Sequence, residues 1–205
     1  GGNYYFLSRP RRFGKSLLVS TLEAYFQGKK DLFKGLSIGR LEQQWVKYPV
    51  FHLDLNAQKY ESAQDLANML NVALTRWEKL YGKETSETSP SLRFQGVIRR
   101  ASESIGCKVV ILVDEYDKPL LQTIGNEVLQ TEYRNTLKAF YGVLKSCDQY
   151  IQFALLTGVT KFNKVSVFSD LNNLRDISML REYENICGIS EEELHRDFVP
   201  DVEAL

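Results

Sequence analysis

The stretch Arg9-Pro10-Arg11-Arg12-Phe13-Gly14-Lys15-Ser16 constrains this chain more than any other. Before it, Tyr4-Tyr5-Phe6-Leu7 is a short apolar run suited to a buried strand; after it, Ser16 to Phe26 carries apolar residues at helical spacing. A strand-loop-helix unit converges the N–H groups of the loop and of the helix N-terminus on one point, where they favour an anion. In that geometry Lys15 reaches the terminal phosphates of a nucleotide and the Ser16 hydroxyl ligates Mg²⁺. Arg9, Arg11, Arg12, Phe13, Gly14 and Leu17 complete the candidate nucleotide-binding set. The pattern G-x-x-x-x-G-K-[ST] puts its first glycine at position 9, which is Arg9, so the loop is a variant. Taken alone, Gly-Lys-Ser is equally a basic turn stiffened by Pro10.

A second string shifts that balance. Lys108-Val109-Val110-Ile111-Leu112-Val113-Asp114-Glu115-Tyr116-Asp117 is an apolar, β-branched run ending abruptly in acids. Such a run is a strand buried on both faces of a parallel sheet, and acids at its C-terminal end lie on the edge where α/β proteins bind ligands. This is the Walker B pattern, in which Asp114 holds the Mg²⁺ shell and Glu115 orients or deprotonates the attacking water. Tyr150 to Gly158 is a further strand, and Thr157 near its tip is either a sensor of the γ-phosphate or a strand-terminal threonine before a glycine turn.

Strands and helices alternate along the chain, which predicts an α/β fold with a mostly parallel sheet flanked by helices. Tyr48 to Asn56 reads as a strand, Leu66 to Leu80 and Leu92 to Ile105 as helices, Lys83 to Ser91 as a mobile surface loop, and Glu127 to Lys145 as a long helix. With 205 residues, 43% hydrophobic and 25% charged, one well-buried domain is within reach. Balanced charge, 26 basic against 26 acidic residues, leaves no overall footprint for nucleic acid. Cys107, Cys147 and Cys187 have no metal-ligand spacing and predict reduced thiols in a cytoplasmic protein. No apolar run approaches the roughly 18 residues of a membrane span.

At this point the residues resemble a known family, the AAA-ATPase-like domains of prokaryotic proteins that often carry a C-terminal PD-(D/E)XK nuclease-like domain. Four strings carry the resemblance: FLSRPRRFGKSLL around Lys15, VVILVDEYDKPL around Asp114, FALLTGVTKFNKVSVFSDLNNLRDISM from Phe153, and YPVFHLDLN around Asp54. The resemblance implies a P-loop NTPase with an AAA+-like core over residues 1–187, using ATP and Mg²⁺, with RPRRFGKS as the family's own form of the loop. It implies the start of a lid or linker over 188–205, with Ser190 and Glu193 as a capping box, and an effector module beyond Leu205. The chain starts at Gly1-Gly2 directly before a core strand, so a trimmed N-terminus is expected.

Several residues keep two readings. His52 and Asp54 are either near Mg²⁺-bound water or ordinary edge residues; Asp117 is either in the outer shell of the metal or a turn cap before Pro119. Arg11 and Arg12 clamp phosphates or face another subunit, and Arg134, Arg175 and Arg181 are undifferentiated arginine-finger candidates. Three functions fit: an ATPase driving an attached effector, a nucleotide-binding switch without turnover, and a small-molecule kinase. Glu115 favours the first, and no Arg-rich lid favours the last. A GTPase is disfavoured because Thr160-Lys161-Phe162-Asn163 lacks the acid that reads guanine. This stretch by itself is expected to turn over ATP slowly or not at all, since an arginine supplied in trans is worth roughly 10³ to 10⁵ in rate in GTPases. A homo-oligomer would supply one.

Overall fold

The computed structural model describes residues 3–160, 166–168, 171, 173–188, 190, 192 and 193. Strand β1 (Asn3–Ser8) runs through the loop into helix α1 (Lys15–Phe26). The short α2 (Ser37–Leu41) precedes β2 (Val50–Asp54), and α3 (Ala63–Tyr81) and α4 (Pro90–Ile105) lead to β3 (Val109–Asp114). After α5 (Lys118–Gln122) and α6 (Glu127–Ser146) come β4 (Ile151–Gly158) and the three-residue β5 (Leu174–Asp176).

The five strands form one sheet in the order β2-β3-β4-β1-β5, and every pairing is parallel. All strands therefore present their C-terminal ends to one edge, where parallel sheets build their binding sites. The order places β4 between β1 and β3, so Thr157 stands between the loop after β1 and the acids after β3. The expected α/β fold with a helix-flanked parallel sheet is the observed one. Sequence reading missed β5, whose Leu-Arg-Asp carries no apolar run and leaves Arg175 and Asp176 exposed.

Alternation along β3 explains the layers. Val110 and Leu112 face one side with Leu7, Leu155 and Val19 of α1; Val109, Ile111 and Val113 face the other with Phe51, Leu53 and the apolar faces of α3, α4 and α6. All six β3 residues are buried, which gives the acids at its end a closely packed mount.

Two ion pairs fasten α3 to α4 and to the preceding loop. The Arg93 guanidinium donates to both Glu78 oxygens at 2.6 and 2.7 Å, to Asn71 Oδ1 at 2.7 Å and to Thr75 Oγ1 at 3.2 Å. Arg100 donates to Glu87, which is 6% exposed, so the 83–91 connection expected to be a mobile surface loop is pinned at its centre. Gly96 makes room for this contact: a Cβ there would meet Glu87 Oε1 at 1.7 Å. Chiefly through its hydrogen bond, Arg93 holds the Glu78 carboxyl below its ordinary value of 4.5. The stabilisation from Glu78 is thus complete above that value and is lost as pH falls through the lower folded one. Arg93→Ala strands the buried carboxylate and is expected to cost about 3 kcal/mol or more. Urea unfolding at pH 7 checks it, and a loss below about 1 kcal/mol would show that the pair is not desolvated.

The expected capping box is present: Ser190 N–H donates to Glu193 Oε2 at 2.9 Å, and Glu193 N–H to Ser190 Oγ at 3.2 Å. The rest of the expected lid segment, 194–205, lies outside the described residues, as do Lys161, Phe162 and Asn163.

Candidate functional site

The loop between β1 and α1 is held by two left-handed residues, Arg12 at φ 66° and Gly14 at φ 81°. Gly14 is the N-cap of α1 and no side chain caps the helix. The bond from Leu18 N–H to Gly14 O, 3.0 Å, starts the helical ladder, so the N–H groups of Lys15, Ser16 and Leu17 have no carbonyl behind them in the helix. These orphan donors and the helix dipole make a site for an anion. Arg9 is not among the left-handed residues, so no glycine conformation is required where the pattern expects a glycine.

Lys15 is 4% exposed and lies across the loop. Its Nζ donates to Arg9 O at 3.0 Å and Pro10 O at 3.1 Å and stands 3.3 Å from Glu115 Oε1. The fold thus joins the two motifs, about a hundred residues apart in sequence, through one ion pair in which Lys15 is buried and Glu115 partly exposed. Asp114, 3% exposed, accepts a 2.5 Å hydrogen bond at Oδ1 from Thr157 Oγ1, and Thr157 is fully buried. Glu115 is left-handed at φ 56°, a conformation that costs a bulky residue about 1–2 kcal/mol and persists where the surroundings impose it.

Arg9 turns its side chain away from the anion site. Its Nη1 donates to Ser8 O and Ser178 O, and its Nη2 donates to Tyr183 O at 3.0 Å. Ser8 N–H adds a 2.8 Å bond to Ser178 Oγ. The Arg9 guanidinium thus ties the 178–183 segment to the loop.

Two clefts flank the loop. One, of about 480 Å³, is lined by Arg11, Arg12, Ser16 and Glu115 together with Asn56, Lys118, Leu121 and Gln122. The other, of about 410 Å³, is lined by Arg12, Phe13, Gly14, Leu17, Leu18 and Thr21 on one side and Ile186, Cys187 and Gly188 on the other. Phe13 and Leu17 are 48% and 72% exposed, so the second cleft offers apolar surface without a partner of its own. The walls Lys118 and Asn56, joined by a 2.8 Å bond from Lys118 Nζ to Asn56 Oδ1, were not foreseen; both lie a few residues past the C-terminal ends of β3 and β2, on the edge where parallel sheets bind ligands, which is the signal that would have flagged them.

Other candidates are placed elsewhere. His52 Nδ1 is 2.8 Å from Glu23 Oε2, two helical turns along α1 from the loop, and Asp54, in register with Asp114, accepts from Asn56 N–H at 2.8 Å. Arg134 donates to Gln130, and Arg175 pairs with Glu182 and lies over the Tyr183 ring; neither they nor Arg181 line the two clefts. Among the described residues no group of three or more His, Cys, Asp and Glu forms a metal cage. Ser16 and Asp114 are hard oxygen donors of the kind Mg²⁺ accepts when phosphates and water complete its shell. No helix among the described residues is long and apolar enough to cross a membrane.

Comparison with known proteins bears on this geometry. Residues 1–168 match the family described as AAA-ATPase-like, predicted AAA-ATPase. A protein encoded in the vnfD 5′ region of Azotobacter chroococcum mcd 1, described as uncharacterized, is 40% identical over 204 residues. The match takes in 100% of this chain and 40% of that relative's length, so the chain corresponds to less than half of the relative. No solved structure matches. With most of its length matched and its parallel sheet carrying the loop and the acids on one edge, the chain belongs to the AAA-ATPase-like family.

Proposed function

We propose that the chain binds ATP with Mg²⁺ at the loop after β1 and hydrolyses it as part of a larger protein. The observation that carries the reading is the ion pair between buried Lys15 and partly exposed Glu115 beside the open N-terminus of α1. It puts a cation for the phosphates and a carboxylate for the water in one place. The phosphates lie over the N–H groups of Lys15, Ser16 and Leu17, with Arg11 and Arg12 closing the larger cleft. Ser16 and Asp114 would hold the ion, which supplies charge neutralisation on the phosphate oxygens. Thr157, hydrogen-bonded to Asp114, orients that carboxylate. The apolar cleft of Phe13, Leu17 and Ile186 receives the base.

Glu115 favours hydrolysis over a switch without turnover, because a carboxylate at the phosphate end of the loop can orient a water and accept its proton once the phosphates draw the Lys15 ammonium away from it. The part of the protein outside this chain is the effector that turnover serves, the setting is cytoplasmic, and a neighbouring subunit supplies a further arginine. Calorimetric titration of ATP, with Mg²⁺ and with the metal chelated, tests the binding. Saturable binding that weakens on chelation is expected. No heat of binding with either ATP or tripolyphosphate would overturn the reading.

A further inference from the structure

The turn after β3 is fastened to the end of β4 by more bonds than a turn requires. Asp117 is 1% exposed, and its Oδ2 accepts from Val159 N–H at 3.0 Å, Thr160 N–H at 2.6 Å and the Thr160 hydroxyl. One residue earlier, Tyr116 N–H donates to Thr157 O at 2.9 Å, and the Tyr116 hydroxyl is 3.3 Å from both Thr160 O and Oγ1. Gly158 lets the two segments close up, since a Cβ there would meet the Tyr116 ring at 2.4 Å and Asp117 Oδ1 at 2.7 Å.

Glu115 lies between two fixed points. Behind it, Asp114 is the last residue of β3, in register with Asp54 and bonded to Thr157; ahead of it, Tyr116 and Asp117 are held to residues 157–160. A single residue bridging two anchors has its backbone set by them, and the result is the left-handed Glu115 whose carboxylate meets Lys15. We infer that Asp117 is a positioning residue that imposes this conformation. All three bonds to its Oδ2 come from backbone and hydroxyl donors at the end of β4, which gives that oxygen an anchoring role, while Oδ1 is buried without a hydrogen-bond partner among the described residues. The inference rests on the reading of Glu115 as the hydrolytic base.

Asp117→Ala, made in the whole natural protein, frees residue 117 and lets Glu115 relax to negative φ. Turnover is expected to fall at least about tenfold while ATP affinity stays within about threefold, the mark of a group acting on the reacting geometry and not on uniform binding. Asp117→Asn keeps a carbonyl oxygen for the two N–H donors and should recover most of the rate. If the charge served a metal ion, Asn would be as poor as Ala, and the inference falls. On a Glu115→Gln background, Asp117→Ala should cause no further loss, whereas an independent, multiplicative loss overturns a role through Glu115. Should Asp117→Ala not fold, Thr160→Val, which removes only the hydroxyl donor, decides: a lowered rate at unchanged ATP affinity supports the inference and an unchanged rate refutes it. Wild type that binds ATP without turning it over defeats the hydrolytic reading and this inference with it, while failure of the variants alone defeats only the positioning role.

Discussion

Lys15→Ala is expected to weaken ATP binding about a hundredfold, because the ammonium is a charge-assisted donor worth about 2–3 kcal/mol to the phosphates it meets. The structure adds a second contribution of the same sign. Glu115 stands 3.3 Å from Nζ, and without that cation its carboxylate faces the incoming phosphates uncompensated. Lys15→Arg should not rescue, since Lys15 is only 4% exposed and its ammonium meets the Arg9 and Pro10 carbonyls and Glu115 from a single nitrogen, a convergence that a planar guanidinium fork does not reproduce. Titration of ATP into both variants and wild type measures this, and an unchanged affinity in Lys15→Ala would place the nucleotide away from this loop. Melting of the unliganded variants controls for the fold: α1 keeps its ladder from Gly14 onward, so most of the helix does not depend on this side chain.

Much of this was legible in the chain, and the reasons are local. Val109–Asp114 announces itself because a strand buried on both faces can hold little but apolar residues, and the change from Val113 to Asp114 marks where the sheet edge lies. The Gly-Lys-Ser string is ambiguous by itself and becomes legible only beside the acids of that strand, because a strand-loop-helix unit and an acidic strand end together make an anion site. What the sequence hides is direction and pairing. Arg9 looks like a fourth phosphate-seeking cation beside Arg11 and Arg12, yet its guanidinium turns to the carbonyls of Ser178 and Tyr183, about 170 residues on. Asp117 looks like one more acid in an acidic turn, yet its carboxylate holds the end of a different strand. Such long-range bonds leave no periodicity behind. Nor does β5, which is three residues long and recognised only by its pairing with β1.

Glu115→Gln is expected to keep or raise ATP affinity while lowering turnover by roughly 10² to 10⁴, the range that a positioned general base supplies. The two effects come from different atoms of one change. Losing the negative charge releases Lys15 from its carboxylate partner, so phosphates no longer compete with Glu115 for the ammonium, and binding tightens by a few-fold. Losing the basic oxygen removes the proton acceptor, while Asp114 and its bond from Thr157 stay in place for the metal. Backbone strain does not confuse the comparison, because Gln is no easier than Glu to hold at φ 56°. Glu115→Gly separates the contributions further: it tolerates the left-handed backbone, lacks the base, and should be as inactive as Gln. Single-turnover phosphate release alongside calorimetry gives both quantities on one sample. Turnover at the wild-type rate in Glu115→Gln would assign the base to another residue, and a large loss of ATP affinity would mean that the Lys15–Glu115 pair supports the bound state instead of competing with it.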